Sequence, residues 1–241
     1  MSKIYTLSII IPAFNEANTI HQILNKVKDA QLQEGVSKEV IVVDDFSTDD
    51  TADIVSQFQL DNKDLSLIYL KHSHNKGKGA AIHTGIKESS GDFIINQDAD
   101  LEYDPNEYQL LLQPILDGYA DVVYGSRFVG GRPHRMLFFF HSIGNHILTF
   151  LSNVFSNLNL SDMETCYKLF KADIIKQLNL KECRFGFEPE VTAKISRIKD
   201  IRIYEVGISY YGRTYKEGKK IGWKDGLRAI YCIIKYGLLK L

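Results

Sequence analysis

Three acidic side chains at alternate positions, Asp98, Asp100 and Glu102, form the segment of this chain best suited to chemistry. A hard divalent cation such as Mg²⁺ takes one or two carboxylates and completes its octahedron with water and substrate phosphate oxygens. An Asp-x-Asp pattern means little in a chain this rich in aspartate, so its weight comes from position. It follows a short apolar run, opens a loop, and precedes Asp104 and a Pro105 that starts a helix. An exposed acidic turn is the alternative reading. Three more polar clusters end apolar runs in the same way: Pro12-Ala-Phe-Asn-Glu16, Asp44-Asp45 and Asn75-Lys-Gly-Lys-Gly79.

Other patterns argue against other chemistries. Gly77-Lys-Gly79 lacks the third glycine of a dinucleotide fingerprint, and no G-x-x-x-x-G-K-S/T phosphate loop occurs. His72 and His74 have no further spaced ligands and read as solvated loop histidines, not as a zinc site. Cys166, Cys183 and Cys232 are odd in number and widely spaced, so neither a disulfide framework nor a zinc site is expected, and a reducing compartment fits.

The 29 lysines and arginines nearly balance the 30 acids, which excludes a general nucleic-acid binder. That balance hides segregation. Residues 98–121 carry seven acids and no base, and residues 122–161 carry three arginines, three histidines and no acid. Residues 212–241 carry eight bases against two acids. The pattern suggests a cation-binding acidic edge facing basic elements that meet an anion, with solvated faces as the alternative.

These residues need elements to hold them. Leu7 to Ile11, Val40 to Val43, Leu65 to Leu70 and Phe93 to Ile95 read as strands. Between them, Ile20, Ile23, Leu24 and Val27 fall at helical spacing. Ser47-Thr48-Asp49 offers caps for a helix burying Ile54, Val55 and Phe58, and a third helix starts near Gly79. Repeated β-then-α units predict an α/β fold, a doubly wound, mostly parallel sheet with ligands at the carboxyl ends of its strands.

In the second half, Val122 to Tyr124 and Ile201 to Val206 read as strands, and Glu188 to Lys199 and Trp223 to Leu239 as helices. Phe140, Ile143, Ile147, Leu151, Val154 and Leu158 mark a further helix whose other face is His, Asn, Ser and Thr, unusual for open solvent. With 241 residues, 44% apolar and 24% charged, and no linker or repeat, one globular domain over 1–241 is expected. Its halves would be 1–121 and 122–241. No run reaches the 18 or so apolar residues of a membrane span, and the apolar run before Pro12 is too short for a signal peptide.

With these residues in view, the chain resembles a family 2 glycosyltransferase of the A-type nucleotide-sugar fold. Ile11-Pro-Ala-Phe-Asn-Glu16, Val43-Asp-Asp-Phe-Ser-Thr-Asp49, Asn75-Lys-Gly-Lys-Gly79, Asp98-Ala-Asp100 and Gly125-Ser-Arg-Phe128 stand in the family's order and approximate spacing. The second half resembles the polyprenyl-phosphate (dolichyl-phosphate) hexose synthase branch through Asp162-Met-Glu-Thr-Cys-Tyr-Lys-Leu-Phe170, Phe187-Glu-Pro-Glu190 and Ile208-Ser-Tyr-Tyr-Gly-Arg213.

The resemblance implies residue roles. Pro12, Phe14, Glu16, Val43 and Asp45 would hold the base and ribose of a UDP or GDP donor, with Lys78 among the donor-binding residues. Asp98 would sit beside the nucleotide, and Asp100 and Glu102 would bind Mg²⁺ or Mn²⁺ against the diphosphate, although relatives often carry glutamine where Glu102 stands. Arg127 and Arg135 would bind an acceptor phosphate, while Arg213, Lys219 and Lys220 would close over the donor phosphates.

The activity implied is inverting transfer of a hexose to polyprenyl phosphate, undecaprenyl or dolichyl, by a metal-dependent enzyme. A phosphate monoester is already nucleophilic at neutral pH and needs no base. A sugar-hydroxyl acceptor, as in cell-envelope polysaccharide assembly, needs one, and Glu188 and Glu190 are candidates for it or are merely helix-start carboxylates. Asp162 serves the acceptor or caps a turn. A non-catalytic nucleotide-sugar module is the weaker alternative. Residues 138–158 and the cationic 223–241 segment either lie on an anionic membrane or pack against the sheet. A cytoplasmic protein held peripherally at the inner face of the plasma membrane is expected.

Overall fold

The computed structural model describes residues 4–136, 138–213 and 222–238. Seven strands form one sheet: β1 (Tyr5–Ala13), β2 (Val36–Asp44), β3 (Ser66–Lys71), β4 (Phe93–Asn96), β5 (Val122–Ser126), β6 (Lys168–Lys171) and β7 (Ile203–Gly207). Their order is β3-β2-β1-β4-β6-β5-β7. The β1–β2, β1–β4, β2–β3 and β5–β7 pairs are parallel, whereas β6 runs antiparallel to both β4 and β5. Strands from both sequence halves therefore share one sheet.

The central strands are apolar almost throughout because helices cover both faces. Leu7, Ile9 and Ile11 of β1 join a core with α1 (Ile20–Asp29), α2 (Thr51–Asp61) and α4 (Tyr108–Leu116). Ile10 points the other way and joins Ile94, Val122 and Tyr124. On that second face lie α3 (Lys78–Glu88), α5 (Phe139–Ser156), α6 (Ala172–Lys176), α7 (Phe187–Ile195) and α8 (Trp223–Leu238). The alternation follows from the two-residue period of a strand.

Three expectations need correction. β6 was not anticipated: its four residues hold only Leu169 and Phe170 between lysines, too short for an alternation to register. The α2 helix starts at Thr51, where Asp49 accepts hydrogen bonds from the Thr51 amide (3.1 Å) and hydroxyl (2.6 Å), and Ile54 is only half-buried. The α7 helix ends at Ile195, short of Lys199.

The α5 helix buries part of its polar face, the one the sequence marks as unusual for open solvent, and leaves most of its apolar stripe outside. Thr149 and Ser152 are buried, and Leu148, Leu151 and Phe155 pack on the core, while Phe140 (82% exposed), Ile147, Phe150 and Val154 face outward. The polar face is tied inward by hydrogen bonds. Thr149 Oγ1 accepts from the Met163 amide at 3.2 Å, and Asn153 pairs with both the amide and carbonyl of Leu160 at 3.0 and 2.8 Å. Satisfying buried backbone groups of that loop selects the polar side for the interior. Leu239 lies outside the described residues.

Candidate active site

In a parallel arrangement the carboxyl ends of β1, β2 and β4 share one edge, which places residues 12–16, 44–45 and 97–102 side by side. The register makes this explicit: Ala13 pairs with Asp44, the Asp45 amide donates to the Ala13 carbonyl (2.8 Å), and the Gln97 amide donates to the Ile10 carbonyl (2.8 Å). Buried Gln97 then accepts from Tyr108 and Tyr167 at 2.7 and 2.6 Å, fixing the residue before Asp98. Asn15, Phe46 and Leu101 all adopt left-handed backbone here, with φ of 53°, 70° and 65°. Such strain clusters where a loop's geometry is dictated by its surroundings.

Asp45 organises the neighbouring loop. Its Oδ1 accepts from the Lys76 amide (2.8 Å) and lies 2.7 Å from His72 Nδ1, and its Oδ2 accepts from the Gly77 amide (2.7 Å). His72 is therefore a buried structural partner, also 2.9 Å from Thr84 Oγ1, and only His74 is a loop histidine as expected. Gly77, at φ +100°, abuts the Cys183 carbonyl and the Arg184 side chain, where a Cβ would collide.

Lys78, the first residue of α3, reaches across the crevice to Asp98 Oδ1 at 2.7 Å and stands 4.0 Å from Glu188 Oε1. Burial works against its charge, but the carboxylates, Asp98 foremost, hold it protonated well above the ordinary lysine range. Asp100 Oδ2 accepts from Arg213 Nη2 at 2.6 Å. Burial, reinforced by Asp98 and Glu102, pushes the Asp100 carboxyl up to about 7 despite Arg213. Negative charge is thus crowded at this edge.

Glu102 has a different part. Its Oε1 accepts from the Arg213 amide (2.8 Å) and its Oε2 from the Tyr210 hydroxyl (2.8 Å), so both oxygens are engaged. Asp98, Asp100 and Glu102 do not converge as one ligand set: among the described residues no three His, Cys, Asp or Glu side chains do. Asp98 and Asp100 still fit a hard cation that takes two carboxylates and completes its shell from a diphosphate, because the charge crowded around Asp100 is what such an ion neutralises.

On the far side, Arg127 follows β5 and is gripped by Asp162, Nε to Oδ2 and Nη2 to Oδ1 both at 2.7 Å. Burial opposes both charges; mutual attraction holds Arg127 well above and Asp162 below their ordinary ranges. Nη2 also donates to Asn145 of α5 (3.3 Å), while Nη1 has no hydrogen-bond partner among the described residues. Asp162 is thus an orienting partner for Arg127, the role left open between acceptor and turn.

A cavity of about 1000 Å³ joins the two sides. It is lined by Pro12, Phe14, Glu16, Asp45, Lys78, Asp98, Asp100, Glu102, Arg127 and Arg213. Two expected residues are elsewhere. Val43 is buried with Ile41 and Ala81 under α3, its strand position turning it from the crevice. Arg135 is exposed and donates through Nη1 to the Gly212 carbonyl at 2.7 Å, off the cavity wall. Lys219 and Lys220 lie outside the described residues.

The carboxylates at the start of α7 separate as their spacing requires. Glu188 lines the cavity, whereas fully buried Glu190 accepts from the Lys181 and Glu182 amides and pairs with Lys194 at 2.6 Å. Glu164, Cys166 and Tyr103 also line the cavity and were not singled out. Glu164 and Cys166 lie inside the Asp162–Phe170 motif, which was their only sequence signal. The charge segregation meets internally in part: Arg132 of the basic stretch pairs with Glu107 of the acidic one at 3.2 Å, and Arg213 with Asp100.

Sheet order, crevice and carboxylate placement define an A-type glycosyltransferase fold. Glucosyl-3-phosphoglycerate synthase from Mycobacterium tuberculosis, solved with Mn²⁺, UDP-glucose and phosphoglyceric acid, superposes with a TM-score of 0.72 at 18% identity, over 97% of this chain and 80% of that one. Residues 8–178 match the model of glycosyl transferase family 2, and the chain belongs to that family and is a transferase. It is 28% identical over 242 residues to an undecaprenyl-phosphate mannosyltransferase of Micrococcus luteus, covering 95% of this chain and 93% of the relative. It is 25% identical over 233 residues to a dolichol-phosphate mannosyltransferase of Pyrococcus furiosus, covering 95% of this chain but spanning only 64% of that relative's length.

Proposed function

We propose that this transferase moves a hexose, with inversion, from a UDP- or GDP-sugar to polyprenyl phosphate. The observation that carries the reading is the continuity of the cavity, which runs from the Lys78–Asp98 and Arg213–Asp100 pairs to Arg127 and to Phe140, His141 and Asn145 of α5. Polyprenyl-phosphate activities in the M. luteus and P. furiosus relatives support it. Pro12, Phe14 and Glu16 would flank the nucleotide, with Asp45 holding the adjoining loop. Asp98 and Asp100 would hold Mg²⁺ or Mn²⁺, which supplies charge neutralisation for the leaving diphosphate. Glu102 positions Arg213.

This chain's own cations do the rest. Lys78 and Arg213 stand where negative charge grows as the glycosyl bond breaks, and stabilise it electrostatically. Arg127, clamped by Asp162 with Nη1 left over, would meet the acceptor phosphate, whose own oxygen attacks without a base. The outward apolar residues of α5, with Leu227, Tyr231, Ile234 and Leu238 of α8, would lie at an anionic membrane surface beside the isoprenoid. Among the described residues no helix is long and apolar enough to cross a membrane.

A second reading, transfer to a sugar hydroxyl, rests on Glu188 at the cavity wall as a base; Glu190 is too deeply engaged to serve. The test incubates wild type, Asp100→Asn, Arg127→Ala and Glu188→Gln with radiolabelled UDP- and GDP-sugars, Mn²⁺ and undecaprenyl phosphate, and counts label in the lipid extract. Transfer that survives Glu188→Gln and is lost in the other two variants is expected. Loss in Glu188→Gln with retention in Arg127→Ala would overturn the lipid-phosphate reading.

A further inference from the structure

Between the two charged pairs of the cavity runs the loop from Asp162 to Cys166, with Glu164 at its middle and on the cavity wall. The Glu164 Oε1 atom is shielded from solvent and has no hydrogen-bond partner. Three cations near it each have another partner. Arg127 is held by Asp162, Lys78 by Asp98 at 2.7 Å, and Lys168 donates to the Thr165 carbonyl while facing the Tyr124 ring at 5.0 Å. Glu188, the other carboxylate on this part of the wall, adds like charge.

A buried acceptor with no donor is costly, and persists where a ligand supplies the missing hydrogen. Burial, then the repulsion of Glu188, pushes the carboxyl up to about 8, against the pull of Lys168 and Arg127. Whether neutral or ionised, the group keeps an oxygen able to accept from a hydroxyl.

Resting on the hexosyl-transfer reading above, we infer that Glu164 is a donor-sugar positioning residue, whose unpartnered oxygen accepts a hydrogen bond from a ring hydroxyl of the hexose. Its place fits: it sits between the residues that would hold the diphosphate and the arginine that would hold the acceptor, where the transferred ring must pass.

The experiment measures Kd for UDP, UDP-glucose, GDP and GDP-mannose in Mn²⁺, with wild type, Glu164→Gln and Glu164→Ala, and the thermal midpoint of each free protein. The expected result is unchanged nucleoside diphosphate affinity, with sugar-nucleotide affinity weakened roughly 10- to 100-fold in Glu164→Ala and less in Glu164→Gln, which keeps one acceptor oxygen. Free Glu164→Gln should melt no lower than wild type, because the amide keeps the shape and removes a carboxyl whose charge burial and Glu188 disfavour. Equal losses for nucleotide and nucleotide sugar would make Glu164 merely structural and overturn the inference, as would unchanged sugar-nucleotide affinity in Glu164→Ala. Wild type that binds no nucleotide sugar would overturn the transferase reading and this inference together.

Discussion

The carboxyl edge of the sheet and the α5–α8 face border the same cavity, yet they are built on opposite rules. At the edge nearly every polar group has an internal partner: Asp45 takes two loop amides and His72, Asp98 takes Lys78, and Asp100 and Glu102 take Arg213. Along α5 and α8 the reverse holds, with Phe139, Phe140, Phe150, Val154, Leu227 and Leu238 each more than half exposed. A region that satisfies its polar groups internally is preorganised for an anion and a cation. One that leaves large apolar side chains in water lacks a partner surface, since contiguous exposed apolar patches mark interaction sites. Under the function proposed above, the edge would perform the chemistry and the α5–α8 face would bring the acceptor to it.

Breaking the edge should have the largest effect. Asp100→Asn keeps the shape but removes a carboxylate from the crowded cluster, so turnover should fall by at least about 10²-fold while the thermal midpoint holds or rises. Transfer assays with and without chelator check it, and wild-type activity in the variant would remove Asp100 from the chemistry.

The boundary between the regions comes next. Asp162→Ala leaves the Arg127 guanidinium buried without its partner, which should cost about 3–5 kcal/mol of stability by urea unfolding. Arg127→Lys, which cannot reproduce the two parallel bonds, should recover only part of the activity lost in Arg127→Ala. Nucleotide affinity should stay unchanged in both, and a parallel drop would mean that the two regions are not separable.

On the apolar face, Phe140→Ser with Phe150→Ser should cut sedimentation with anionic vesicles several-fold. Stability should change by no more than about 0.5 kcal/mol, because neither side chain is in the core. Unaltered vesicle binding would return α5 to a role in packing alone.

The smallest effect concerns the clasp that holds α8. Burial raises the Glu182 carboxyl, but hydrogen bonds from Arg228 (2.5 Å), Tyr236 (2.8 Å) and Lys235 (3.2 Å) outweigh it and hold it at about 2. A depressed carboxyl stabilises the fold above its unfolded pKa, and that contribution disappears as pH falls from about 4.5 towards 2. Arg228→Ala should shift the acid limb of the unfolding curve upward by a few tenths of a pH unit. An acid limb that does not move would show that Glu182 contributes no pH-dependent stability.

How much of this was legible beforehand varied with sequence distance. The strand-end clusters were readable because each lies next to the apolar run that positions it, and a parallel sheet brings such ends together whatever the rest of the chain does. The strand β6 was not, since a four-residue antiparallel insertion gains stability from its neighbours β4 and β5 and not from its own pattern. The face that α5 buries depends on the same kind of distant contact. Thr149 and Asn153 turn inward for the backbone of residues 160 and 163, a demand that periodicity within the helix does not record.

The sequence by itself determined the residue types at the crevice: the aspartates after β4, the Gly-Lys loop before α3, the arginine after β5 and the glutamates opening α7. Local chemistry fixes these, through turns, caps and strand ends. Only the tertiary structure decided their partners. It bound Glu102 to Arg213 and Tyr210, sent Val43 into the core and Arg135 off the cavity wall, buried Glu190, and left one oxygen of Glu164 unanswered. Charges and hydrogen bonds act over a few ångströms, and which groups come that close depends on strands and helices dozens of residues apart packing on the two faces of one sheet.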